Sequence, residues 1–260
     1  MTHTRYSGYA RALDTAARTA TPIAQLTLTE PGLDRAGALE IQRLLMEERY
    51  MRGERRIGLK LGLTSVAKMR QVGVNEVIWG RLTDAMLFHD AAELAFSAYI
   101  HPRAEPEIAF ILKRSLPADA SLSETALAIE AVLPAIEIID SRYENFVFSE
   151  ADVIADNCSA AAVVLGNPVA PRDVGNLGMV MRLDGRVAQL GSSAAILGHP
   201  LRALLRAARL AADAGEPLQP GDIVLAGAAM AAEPLRPGAY VSVEVQDLGR
   251  VGFTVSGETP

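Results

Sequence analysis

The chain has 260 residues, half of them hydrophobic, with a formal net charge of −6 and an isoelectric point near 5.3. That length suits one large domain, or a small N-terminal appendage on one core, and the acidic balance argues against a nucleic-acid or anionic-membrane partner. A single cysteine, Cys158, excludes an intramolecular disulfide and fits a reducing cytoplasm, and no apolar stretch approaches the ~20 residues of a membrane span.

Residues 1–55 read as helical. The first 22 carry arginines, alanines and threonines with one acid, Asp14, and no hydrophobic signal core; they read as a helix and a loop ending at Pro22. Asp34 is placed to cap a helix bearing Ala38, Ile41, Leu44, Leu45 and Glu48 at helical spacing, ending near Gly53. Ile57–Thr64 then reads as a buried, glycine-spaced strand, and Ser65–Val74 as a short helix or lid stopped by Gly73. Ser121-Leu122-Ser123-Glu124 has the capping-box pattern and should open a short helix that Pro134 ends. Strands are predicted at Ala135–Ile139 and Ala160–Leu165. Asp184-Gly185, between Met179–Leu183 and Arg186–Leu190, is the strongest hairpin signal in the chain. Pro200 suits the first turn of a helix that Gly215 terminates. Val241, Val243 and Val245, a turn at Leu248-Gly249, then Val251, Phe253 and Val255 predict a terminal antiparallel hairpin. Helices lead and strands dominate afterwards without regular βαβ alternation. The predicted class is therefore α+β: an N-terminal helical region, residues 1–55, then a mixed, rolled β-sheet, residues 56–260, as one catalytic unit.

Three glutamates stand in hydrophobic strand-like segments: Glu105 and Glu107 in Arg103–Leu112, and Glu137 in Pro134–Ile139. Residues two apart on a strand share a face, so Glu105 and Glu107 look the same way. Burying carboxylates together is costly unless protons or a cation offset their charge, and converging carboxylates suit a hard divalent cation such as Mg²⁺ or Mn²⁺. Lys60 lies among apolar and glycine neighbours; a buried ammonium there either steadies developing negative charge or makes a structural ion pair. Ser159, with Asp156 and Asn157, sits at a turn before an apolar strand, where such residues most often make turn and cap bonds. Arg142 has the donor fork to meet a carboxylate, or else pairs with Asp140 or Glu144. His89, His101 and His199 share no ligand spacing and read as structural, His199 as a helix-entry residue; Cys158 reads as a small packed side chain.

Five motifs in order carry a resemblance: Gly58–Ser65 (GLKLGLTS), Glu105-Pro106-Glu107, Glu137–Arg142 (EIIDSR), Ala155–Ser159 (ADNCS) and Leu197–Pro200 (LGHP). Together they resemble the hydratase/decarboxylase family of meta-cleavage pathways, within the fumarylacetoacetase-like superfamily, from about Asp34 to Phe253. The resemblance implies a fumarylacetoacetase C-terminal-like fold and a 2-oxo dicarboxylic acid as substrate. It implies Mg²⁺ or Mn²⁺ held by Glu105, Glu107 and Glu137, with the 1-carboxylate and 2-oxo oxygens chelating the ion. Loss of CO₂ from the far end then pushes electrons toward the 2-oxo group, stabilised by the metal as a Lewis acid. In this reading Lys60 is catalytic, and Ser159, Leu63 and Arg142 bind substrate. Leu63 opens a lid segment, 63–75, that excludes water, and Arg142 meets the distal carboxylate.

The family divides into hydratases of the 2-oxopent-4-enoate type and decarboxylases of 2-oxo-3-hexenedioate. Asp140–Phe146 (DSRYENF) looks like the decarboxylase version, and Ile78, before Trp79-Gly80, stands where hydratases tend to carry an Asp for proton transfer to or from water. Cys158 replaces an expected Ala or similar residue, and Ala226–Ala229 replaces a more glycine-rich turn. The competing readings are the hydratase, an acylpyruvate hydrolase (which would need a His–Glu pair, whereas 63–75 holds no His), and a non-catalytic partner subunit. A complex with the pathway hydratase is implied alongside a homo-oligomer.

Overall fold

The protein is described from a computed structural model over residues 2–64 and 76–257. Its helical N-terminal region holds α1 (Thr2–Thr19), the short α2 (Leu26–Thr29) and α3 (Arg35–Met51). Asp34 caps α3 as expected, its carboxylate accepting the Gly37 N–H at 2.8 Å. Leu13, Ile41 and Leu45 bury their side chains with Tyr143, Ile154 and Cys158, so these helices pack against the segment that leads into the site.

Thirteen strands follow among the described residues: β1 (Arg56–Gly62), β2 (Ile78–Thr83), β3 (Leu87–His89), β4 (Ala92–Ala95), β5 (Arg103–Leu112), β6 (Ile129–Ile139), β7 (Ala160–Leu165), β8 (Gly178–Leu183), β9 (Arg186–Ser192), β10 (Ile223–Leu225), β11 (Glu233–Pro234), β12 (Tyr240–Val245) and β13 (Gly249–Ser256). Among the described residues three further helices intervene: α4 (Leu122–Leu127), α5 (Glu150–Ala155) and α6 (Pro200–Asp213). The strands form two mixed sheets. The larger runs β2-β1-β10-β5-β6-β7-β3, with β11 alongside β5; the smaller runs β4-β13-β12-β8-β9. Both predicted hairpins are present, β8–β9 around Asp184-Gly185 and β12–β13.

The large sheet is rolled but not closed. Its edge strands β2 and β3 are joined by a single 3₁₀ turn, Asp84–Met86, which brings the edges together without hydrogen-bonding them. One face of the sheet packs on the small sheet and α6 through Ile108, Phe110, Val132, Val164, Met181, Val243 and Leu204. The other lines the roll with Leu82, Met86, Ala109, Leu133, Ala135, Val163, Leu165 and Leu225.

One expectation is corrected. The Ser121–Glu124 capping box does open α4, but the helix ends at Leu127 and Pro134 lies inside the eleven-residue β6. A proline is tolerated in a central strand where its missing donor faces no acceptor. The Pro134 carbonyl accepts the Gly166 N–H at 2.9 Å, just past the last β6–β7 pair, Ala135 with Leu165. Its nitrogen faces the same edge, where the β7 ladder has already ended.

Candidate active site

The register of the large sheet gathers the chemistry. Lys60 on β1 pairs with Leu225 of β10, and Leu225 with Ala109 of β5. Paired residues share a face, so Lys60, Glu105, Glu107 and, across β6, Glu137 all point into the roll. Glu105 stands directly opposite Glu137, and like charges so placed repel. One oxygen from each of Glu105, Glu107 and Glu137 lies within 4.8 Å of the others. Glu107 and Glu137 are fully buried, whereas Glu105 is half-buried at the mouth of the roll.

The electrostatics are unbalanced. Lys60 Nζ lies 2.9 Å from Glu137 Oε1, a buried ion pair, while Glu137 Oε2 has no hydrogen-bond partner. Glu107 accepts the Gly227 N–H at 2.7 Å through Oε2, while its Oε1 also has no partner. Burial pushes the Glu107 carboxyl well above its ordinary range, and the neighbouring Glu137 and Glu105 push it further. Burial pulls the Lys60 ammonium down, but Glu137, Cys158 and Glu105 outweigh it and raise the group to about 12. Buried carboxylate oxygens of Glu107 and Glu137 are left without hydrogen-bond partners, with the Glu105 carboxylate beside them; this set of hard donors fits a divalent cation. Gly227 has a φ of +101°, and a side chain there would collide with Thr64. The lone glycine in Ala226–Ala229 is therefore the one the backbone requires.

Ser159 arrives from the turn before β7. It is buried, and its Oγ has no hydrogen-bond partner. Cys158 is the packed side chain expected, its thiol donating to the Trp79 carbonyl at 3.0 Å. Leu63 stands directly after β1 at a φ of +55° and is half-buried. The predicted lid beyond it, 65–75, lies outside the described residues. Ile78 pairs with Gly62 on β2, on the face that carries Lys60. His199 caps α6, its Nδ1 accepting the Leu201 N–H at 3.1 Å.

Arg142 is a correction. It is buried, and its fork is consumed by the Asp156 carboxylate and by the carbonyls of Asp140, Asp156 and Ala160. Neither carboxylate expected for a structural role pairs with it: that of Asp140 accepts the N–H groups of Ile100 and His101 at 2.9 and 2.8 Å, and Asp156 is the counter-charge. Asp156 itself is pushed up to about 6 by burial, against the pull of Arg142. The cation that sequence reasoning passed over is Arg103, two residues before Glu105 and on the same face of β5. Its guanidinium lies 4.2 Å from the Phe146 ring centroid, and among the described residues no carboxylate pairs with it. The two-residue period that linked Glu105 to Glu107 would have found it one step back.

Residues 64–256 match the fumarylacetoacetate (FAA) hydrolase C-terminal family. The chain belongs to that family. A 4-oxalocrotonate decarboxylase of Pseudomonas sp. is 51% identical over 98% of this chain and 99% of its own length. A 2-keto-4-pentenoate hydratase of Paraburkholderia xenovorans is 37% identical over 84% of this family member and 83% of its own length. Among solved structures, the 4-oxalocrotonate decarboxylase of Pseudomonas putida complexed with magnesium and adipate superposes with a TM-score of 0.94, at 36% identity, over 98% of both chains. No helix among the described residues is long and apolar enough to cross a membrane.

Proposed function

We propose that this protein is a divalent-cation-dependent lyase that decarboxylates 2-oxo-3-hexenedioate (4-oxalocrotonate) to 2-hydroxypenta-2,4-dienoate, or its 2-oxopent-4-enoate tautomer, and CO₂, in a meta-cleavage route of aromatic breakdown. The observation that carries the reading is the group of three carboxylates and one ammonium inside the roll, in a chain 51% identical to a 4-oxalocrotonate decarboxylase. Glu105, Glu107 and Glu137 would hold the Mg²⁺ or Mn²⁺, which when bound supplies a Lewis acid for negative charge developing at the 2-oxo acid end. Lys60 keeps a fixed positive charge beside that end and draws electron density from the breaking carbon–carbon bond. The Ser159 hydroxyl, buried and unpartnered, donates to a substrate oxygen. Leu63 and Ile78 keep the surroundings apolar. Ile78 offers no carboxylate to move a proton to or from water, which spares the reactive dienol from hydration. Residues 56–260 form the catalytic unit in this reading, with the helices of 1–55 buttressing it. The single buried cysteine suits a reducing cytoplasm, and association with the pathway hydratase or with further copies of the chain completes the proposal.

The competing reaction is hydration of 2-hydroxypenta-2,4-dienoate, favoured by the hydratase relative. Incubation with Mg²⁺ and each substrate in turn, following CO₂ release and loss of the dienol, separates the two. The expected result is rapid CO₂ release with little water addition; fast hydration without CO₂ release reverses the assignment.

Arg103 takes the role expected of Arg142, meeting the second carboxylate from the rim. A charge-assisted bond of about 1.5–3 kcal/mol corresponds to roughly a 10- to 100-fold effect. Arg103→Met should therefore raise KM for the dicarboxylate by about tenfold or more and change kcat less in steady-state kinetics. A fall in kcat alone, at unchanged KM, would remove Arg103 from this role.

A further inference from the structure

Asn157, Cys158 and Ser159 have φ angles of +49°, +52° and +59°. Three consecutive residues with side chains in the left-handed region are strained, each by roughly 1–2 kcal/mol, so something must hold them. The Asn157 carboxamide does. It is buried, its Oδ1 accepts the Arg81 N–H at 2.7 Å, and its Nδ2 donates to the Arg81 carbonyl at 2.9 Å. The side chain thus acts as a rung on the outer edge of β2, where the sheet has no further strand. The neighbouring Gly80 pairs with Lys60 across β1, and a Cβ on Gly80 would collide with the Asn157 carbonyl. The turn is therefore seated on the one β2 residue that is in register with Lys60. Two residues on, the Ser159 hydroxyl is left buried and without a partner.

We infer that Asn157 is a positioning residue, locking the left-handed turn onto β2 so that the Ser159 hydroxyl is held ready for substrate. The inference deepens the proposed function and rests on it, because it takes Ser159 to touch the substrate.

The test is a double-mutant cycle of Asn157→Gly and Ser159→Ala, read as kcat/KM for 2-oxo-3-hexenedioate with Mg²⁺, with melting temperatures measured in parallel. Glycine adopts positive φ freely, so Asn157→Gly relieves the strain while removing the clamp, and the fold is retained. Asn157→Asp, of the same shape but without the donor, is the second variant. Asn157→Gly should lower kcat/KM about 10- to 100-fold while leaving the Mg²⁺-induced rise in melting temperature unchanged. Adding Asn157→Gly to Ser159→Ala should cost nothing more, since both act through one hydroxyl. Asn157→Asp should also lose activity. If Ser159→Ala is impaired but Asn157→Gly is fully active, or if the two losses multiply, the positioning role is overturned while the function stands. A fully active Ser159→Ala would overturn the substrate contact and the positioning role together.

Discussion

Replacing Glu107 by Gln is expected to raise the melting temperature of the metal-free protein and to abolish the further rise that Mg²⁺ produces in the unaltered chain. Most buried polar substitutions destabilise. This one should not, because Glu107 is a buried carboxyl pushed up by burial and by two neighbouring carboxylates. Gln keeps the shape and can still accept the Gly227 N–H that Glu107 accepts, while removing one like charge from the cluster. In the unaltered chain, Mg²⁺ at a hundred times its dissociation constant adds about 2.7 kcal/mol, roughly 5–10 °C for a chain of this size. The Gln variant loses a ligand and with it that shift, and activity falls by about a hundredfold or more. Calorimetric scans in chelator and in Mg²⁺, for both proteins, check this. A variant that melts lower in chelator yet keeps the full Mg²⁺ shift would show that Glu107 is an ordinary structural acid.

Lys60→Met should show the reverse signature. In chelator it leaves the buried Glu137 without its counter-charge, and breaking such a pair costs about 3–5 kcal/mol. Saturating Mg²⁺ supplies a new counter-charge and restores most of that stability. It does not restore the ammonium beside the reacting atoms, so kcat should remain about 10²- to 10³-fold down, the usual loss for a missing electrostatic stabiliser. The sign of the pH linkage agrees with a fixed charge. Glu137 and its neighbours hold the Lys60 ammonium above its ordinary 10.5, at about 12, in the metal-free protein. The stability it adds is fully present below the ordinary value and is lost only as pH rises through about 12. Lys60 is thus a standing cation at neutral pH rather than a base. Turnover measured in Mg²⁺ beside melting temperature separates the roles: if activity recovers along with stability, Lys60 serves only to neutralise Glu137.

The parts of this protein that local chemistry determines were legible in its residues. Asp34 and Ser121 announce helices because a cap is a bond between residues three apart. Asp184-Gly185 announces a hairpin because only certain residues tolerate the turn. The common face of Glu105 and Glu107 follows from the pleat, Glu137 and Lys60 stand out as charges in apolar segments, and the family resemblance added the roles expected of Lys60 and Ser159. What was not legible depends on neighbours distant in sequence. Pro134 looked like a terminator because nothing local says that the β7 ladder stops opposite its nitrogen. Asp156 was not foreseen as the partner of Arg142 because it is fourteen positions away across a turn. The division of the strands into two sheets depends on which strands meet, which alternation alone does not encode.

The bonds that brace this site span long stretches of chain. Arg81 meets Asn157 across 76 positions, and Gly227 meets Glu107 across 120. Loops of that length close late and slowly, because their entropy is spent before their contacts repay it. Bound Mg²⁺ is therefore expected to slow unfolding more than it speeds folding, which rates measured with the ion and with chelator would check.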